Sequence, residues 1–231
     1  MERQILLDTE TTGLEPQKGH RITEVGCLEM INRRLTGRKF HSYLNPEREV
    51  DPGAVAISGI TTEFLQDKPK FYEVADELLT FIEGSELIIH NAPFDIGFIN
   101  AELMILNHPW GSLDAFVRVF DTLTLARQLH PGQKNNLDAL CRRYGIDNSH
   151  RTYHGALLDA EILARVYLAM TAGQTQFTLG SDSPSQSTVH QKQQKIKLKR
   201  RPGLSLTIIR ASQAENLAHE ARLVQLSKGK N

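Results

Sequence analysis

Apolar periodicity runs along this chain from Gln4 to Met170 and then stops, and that boundary fixes where a core can form. About 170 residues suffice to bury one sizeable domain core. The 61 residues that follow are too few and too polar for a second large one. Charge divides at the same point. The whole chain balances, with 27 Lys+Arg against 27 Asp+Glu, yet 24 acidic and 17 basic residues precede Thr171, and 3 acidic and 10 basic residues follow from it. A body of net −7 with a tail of net +7 excludes a protein that coats polyanions along its whole length, and it suggests a tail with a separate task.

Within the body the pattern changes from strands to alternating strands and helices. Gln4–Leu7 is a short apolar run ending in Asp8, and Ile22–Ile31 and Arg38–Leu44 mix apolar and polar residues as strands do, so three early strands in a meander are expected. Phe71, Val74, Ala75, Leu78, Leu79 and Ile82 recur at helical spacing. Leu87–Ile89 and Val117–Phe120 suit short buried strands, and helices are expected from Pro93 to Leu106 and over Thr122–Leu129, Leu137–Tyr144 and Gly155–Met170, with Gly145 as a stop. This order predicts an α/β domain, a mixed sheet flanked by helices. Cys27 and Cys141 lie far apart with no His at ligand spacing, so both are expected in the core and not in a disulfide or zinc site. No run reaches the roughly 18 to 20 apolar residues of a membrane span, and the expected compartment is the cytoplasm.

Three segments carry chemistry. In LLDTETTGLE, Asp8 and Glu10 stand two apart at a strand end, so the period of 2 turns both carboxylates to one face. Crowded carboxylates repel unless a cation sits between them, and hard divalent ions take such oxygen ligands. Thr11, Thr12 and Gly13 add hydroxyls and a turn that a substrate backbone can approach. The plain reading of Asp-x-Glu alone, a solvated strand end, is equally common. In IIHNAPFD, Asp95 falls in a first helical turn near the carboxyl end of the sheet, where α/β proteins place sites; in isolation it does no more than complement a helix dipole. His90 reads as a structural histidine, and Phe94 as core or as a surface on which a base stacks. In YHGALLDAEILA, a helix beginning at His154 would carry Asp159 about 500° further on, roughly 140° away around the axis. The two reach one site only if His154 precedes the helix, which Gly155 permits. Imidazole titrates near neutrality and suits a general base, whereas a surface His and a helix-face Asp are the plain alternative.

In that chain order, Asp8, Glu10, Asp95, His154 and Asp159 resemble the DEDDh family of 3′→5′ exonucleases, whose sheet is RNase H-like. RQILLDTETTG, NRRLTG, IIHNAPFDIGF, the stretch from NNLDAL to DAEILA, AMTAGQT and AHEARL are similar to the proofreading epsilon subunits of bacterial DNA polymerase III. The resemblance implies that Asp8, Glu10, Asp95 and Asp159 hold two Mg²⁺ or Mn²⁺ ions, that His154 is the general base, and that mispaired 3′ nucleotides leave DNA as 5′-monophosphates. It also implies substrate contacts by Asp8, Glu10, Thr11, Ser58, Phe94 and Asp159. Ser58 departs from the His of many relatives, and Gly53 from the acid of the most similar ones, at positions that touch the terminal nucleotide in the family.

The resemblance further implies a theta subunit on the exonuclease domain, residues 1–172, and the polymerase alpha subunit on the tail. Residues 173–203 read as a flexible basic linker. Gln174, Phe177 and Leu179 weakly resemble sliding-clamp peptides, and Lys192–Arg201 suits either DNA phosphates or an extended spacer. Residues 204–231 read as a polymerase-binding segment, with a strand pattern at Leu204–Ile208 and a capped helix from Ser212 that needs a docking groove. Two alternatives remain at this stage: an RNA-trimming relative of the same fold, and a mainly structural adaptor.

Overall fold

The computed structural model describes residues 3–149, 153–172, 212–214 and 219. The chain divides into two units, Met1–Phe177 and Thr178–Asn231. In the first, five strands form one mixed sheet in the order β3-β2-β1-β4-β5. β1 (Arg3–Thr11), β2 (Ile22–Ile31) and β3 (Arg34–Tyr43) make the expected antiparallel meander, and β4 (Glu86–Ile89) and β5 (Arg118–Asp121) add in parallel beyond β1. Helices α3 (Phe71–Ile82), α4 (Ala92–Ile105), α5 (Thr122–Leu129), α6 (Leu137–Tyr144) and α7 (Ala156–Thr171) cover both faces. Gly145 ends α6 in the left-handed region at φ 64°, which a Cβ would disfavour.

Strand alternation splits the core in two. Ile5 and Leu7 of β1 face α3 and α4 with Val25, Cys27, Leu87 and Ile89. Leu6 faces α5, α6 and α7 with Leu28, Met30, Ile88 and Cys141. Each fully buried aliphatic side chain contributes about 1.5–3 kcal/mol. Both cysteines are buried in the core, as expected.

Two helices were not expected from the pattern: α1 (Pro52–Ser58) and α2 (Thr62–Leu65). They are 7 and 4 residues long and bury little beyond Val50, Ile60 and Leu65, so no apolar period develops. The signs available were Pro52 at the first turn and Gly59 at the stop, with φ 71°. β3 begins four residues before the expected Arg38, because Arg34–Lys39 is an exposed edge without an apolar signature. In the tail, Gln213, Ala214 and His219 are helical. The clamp-like peptide (Gln174, Phe177 and Leu179), the basic run Lys192–Arg201 and the strand pattern at Leu204–Ile208 lie outside the described residues. Among the described residues no helix is long and apolar enough to cross a membrane.

Buried charge is paired. Glu102 of α4 receives a two-point bond from Arg21, at 2.7 and 2.6 Å, which ties α4 to the start of β2. Glu29 of β2 receives Arg3 at 2.7 Å, Arg38 at 3.0 Å and the Thr36 hydroxyl at 2.8 Å. Burial alone would raise the Glu29 pKa, but these hydrogen bonds and the charges of Arg38 and Arg3 hold it below the usual carboxylate range. A lowered folded-state pKa stabilises the fold above the unfolded value near 4.3, and that contribution fades as pH falls through the folded value. Glu29→Gln is expected to cost about 1–3 kcal/mol at pH 7, and urea midpoints measured across pH should show this difference shrinking only below about pH 4.3.

Candidate active site

β1 pairs with β4 only through Gln4, Ile5 and Leu6. Beyond Leu6 it runs on beside β2 alone, so a crevice opens at the carboxyl end of the parallel strands. Asp8 and Glu10 project there on the α7 face, in register with Gly26 and Glu24 of β2. Thr9, between them, faces the other way toward α4.

Helix α7 supplies the opposite wall. Its first turn lies on Gly26, where a Cβ would overlap Leu157 N and Ala156 C, so the helix can come this close only over a glycine. Gly155 is the N-cap, and His154 precedes the helix, in the one arrangement that lets it share a site with Asp159. The His154 amide donates to Ile57 O at 3.1 Å, tying this loop to the end of α1. Asp159 is 4% exposed and its amide donates to Gly155 O. His154 Nδ1 stands 3.5 Å from Asp159 Oδ2. Glu10, His154 and Asp159 each offer a ligand atom within 4.8 Å of the others.

Asp95 enters from the first turn of α4. Its Oδ1 accepts the Thr9 amide at 2.9 Å and the Thr9 hydroxyl at 2.7 Å, which locks α4 to the peptide between the two β1 carboxylates. Burial pushes Asp95 up to about 7, against the opposing pull of the Thr9 bonds. The start of α4 is held in turn by Asp121, whose Oδ1 accepts the amides of Asn91, Ala92 and Leu123, so one carboxylate caps both α4 and α5. The sequence places Asp121 at a strand end but does not reveal this double role.

Two hollows flank the acids. One, of about 520 Å³, is lined by Glu10, Thr11, Leu14, Gly53, Ala54, Ile57 and Phe94, among others, and is mostly apolar. The other, of about 580 Å³, is lined mainly by polar residues, among them Asp8, His154, His90, Arg127, Gln133 and Asn135. Burial holds the His90 pKa below its ordinary value, and Thr122 Oγ1 lies 3.0 Å from its Nδ1, as a structural histidine requires.

Two expected groups do not reach the cleft. Ser58 is buried, its hydroxyl donating to Ala54 O and accepting from Ile60 N at the end of α1, so it is not presented to a nucleotide. Thr12 is fully buried, and its hydroxyl accepts the Arg21 amide. Residues that the sequence did not single out are Leu14, Ile57 and Arg127. They are ordinary side chains in loops and helices, and only the fold gathers them. Gly26 had a signal, an isolated glycine in an apolar strand.

The exonuclease family pattern matches residues 5–167. The DNA polymerase III subunit epsilon of Escherichia coli K12 is 50% identical over 98% of this chain and 94% of its own length. This chain belongs to the epsilon subunit family. The corresponding subunit of Pasteurella multocida is 59% identical over 75% of the chain and 70% of its own length. Among solved structures, Exonuclease X in complex with 5′ overhanging duplex DNA matches with a TM-score of 0.56 at 26% identity, over 72% of this chain and 90% of that one. An E. coli Exonuclease I–single-stranded DNA complex shares the fold, with a TM-score of 0.66 at 19% identity over 76% of this chain and 42% of that one. The epsilon-family chain is thus an exonuclease built on a mixed sheet with helices on both faces.

Because α7 rests on Gly26, Gly26→Ala is expected to push Ala156 and Leu157 outward and take His154 and Asp159 with them. A displacement near 1 Å costs roughly 100-fold in rate, which steady-state turnover should show, whereas overpacking should lower stability by only about 1–3 kcal/mol.

Proposed function

We propose that this chain removes mispaired nucleotides from DNA 3′ ends as 5′-monophosphates, as the proofreading nuclease of a bacterial DNA polymerase III in the cytoplasm. The observation that carries this reading is that Glu10, His154 and Asp159 offer ligand atoms within 4.8 Å of one another, with Asp8 two residues back on the same face of β1 and Asp95 bonded to Thr9 between the two β1 acids. The apolar hollow, with Phe94, Leu14 and Ile57, suits an unpaired terminal base, and the polar one, with Arg127, suits the phosphates of the strand behind it. An unpaired end has less stacking and pairing to give up on entering, so discrimination needs no base-specific reading.

The donor set fits hard divalent cations. It is rich in carboxylate oxygens, and burial has pushed Asp95 into a range from which a neighbouring cation would draw it back to its ionised form. Asp8, Glu10, Asp95 and Asp159 would hold two Mg²⁺ or Mn²⁺ ions, whose chemistry is to acidify a water molecule and stabilise the departing 3′ oxygen. His154, half exposed beside Asp159, takes the proton of the attacking water and returns it to solvent. The Asp159 carboxylate, 3.5 Å away, stabilises the imidazolium that forms.

Purified protein with Mg²⁺ or Mn²⁺ is expected to shorten mispaired 3′ DNA ends faster than paired ones. Asp8→Ala should abolish this, and His154→Ala should lower it by about 100- to 10,000-fold. Gel analysis of labelled primers decides: no trimming with any divalent ion refutes the reading, and faster trimming of RNA than of DNA moves it to RNA.

Residues 173–231 carry the link to the polymerase alpha subunit in this proposal, with theta on the exonuclease domain and the sliding clamp reached through Gln174, Phe177 and Leu179. A chain ending at residue 172 is expected to keep its nuclease rate and to lose co-elution with alpha. Persistent co-elution would overturn the assignment.

A further inference from the structure

Glu24 is a buried carboxylate beside the site that the proposed chemistry leaves unused. It stands on β2 directly opposite Glu10, with 3% of its side chain exposed. One oxygen, Oε2, accepts the backbone N–H of Ala156 at 3.1 Å, and the other lies 2.7 Å from His41 Nε2. Ala156 is the first residue of α7, and the N-cap, Gly155, has no side chain with which to satisfy the orphan amides of the first turn. A carboxylate from β2 therefore satisfies one of these orphan amides.

The position of this cap matters more than its presence. His154 lies two residues before Ala156 and Asp159 three after it. Glu24 and Gly26 share a face of β2, so the carboxylate holds the helix start while the glycine lets its backbone settle on the sheet. His41, on β3, fixes the rotation of the carboxylate by donating from Nε2, and the ring is braced edge-on by Tyr43 at 5.0 Å. We propose that Glu24, oriented by His41, is a positioning residue of the nuclease, setting His154 and Asp159 against Glu10 through its bond to the start of α7. The negative charge also complements the helix dipole, but the inference concerns the placement of an acceptor oxygen.

The inference rests on the nuclease reading, which wild-type activity tests separately. In Glu24→Ala, kcat on a mispaired 3′ end is expected to fall by roughly 10- to 100-fold while KM stays within about threefold, since Glu24 itself lines neither hollow. Glu24→Gln keeps an oxygen for the Ala156 amide and turns an N–H toward His41, whose neutral ring accepts it in the other tautomer, and should recover kcat to within about threefold of wild type. Two readouts need no turnover. Hydrogen exchange at the Ala156 amide should accelerate by about tenfold or more in Glu24→Ala, and Mn²⁺ binding measured by calorimetry should weaken. A folded Glu24→Ala with wild-type kcat and exchange overturns the inference. So does a Glu24→Gln as impaired as the alanine, which would assign the effect to charge. If Glu24→Ala does not fold, His41→Ala decides, because it leaves the carboxylate in place but frees its rotation. A smaller loss of kcat with faster Ala156 exchange supports the proposal, and unchanged values of both reject it.

Discussion

The site depends on how closely α7 sits on β2. A helix over a sheet normally rests on side chains, but here its first turn meets the backbone at Gly26, directly across from Asp8. That approach brings Asp159, a helix residue, within ligand distance of Glu10, a strand residue, with His154 on the loop between. The long apolar contact between α7 and Leu6, Leu28 and Ile88 supplies the adhesion, and the glycine sets the distance. Packing interiors are dense enough that a single added carbon is felt across such a contact.

A second lock works from the opposite face. Thr9 points away from Asp8 and Glu10, and through its amide and hydroxyl it fixes Asp95 at the head of α4. The same β1 peptide thus anchors acids on both faces of the sheet. Asp121 restrains the turn before α4, and Arg21 with Glu102 restrains its far end. The acids are held by rigid elements, which is what a reaction sensitive to sub-ångström placement requires. The energetic consequence is a set of crowded, partly desolvated carboxylates whose repulsion divalent ions would relieve.

This placement also explains how an acidic body can act on a polyanion. In the proposed reaction the charges that approach DNA are local: carboxylates suited to cations in the crevice, and Arg127 in the hollow beside it. The summed charge of the chain is silent on this, because opposite charges in body and tail cancel only in the total.

Most of the frame was legible in the sequence. The mix of apolar and polar residues marked β2 as Ile22–Ile31, helical spacing marked α3, helices α5 and α6 were expected at their observed bounds, and the five-residue step from His154 to Asp159 allowed a shared site only if the helix starts after His154. These follow from local geometry, since a periodic apolar face must be buried wherever it goes. Short elements without a period, α1 and α2, were not legible, and Ala54 and Ile57, which α1 carries into the apolar hollow, were missed with it. Ser58 could not be placed either, because a serine near a helix end bonds its own backbone or faces outward depending on tertiary neighbours. The sequence by itself determined the periodic elements and singled out Asp8, Glu10, Asp95, His154 and Asp159 as candidates. Only the tertiary structure decided that Asp95 accepts the amide and hydroxyl of Thr9, how near α7 comes to β1, and that Glu24 holds its first amide, because each is a contact between segments distant along the chain.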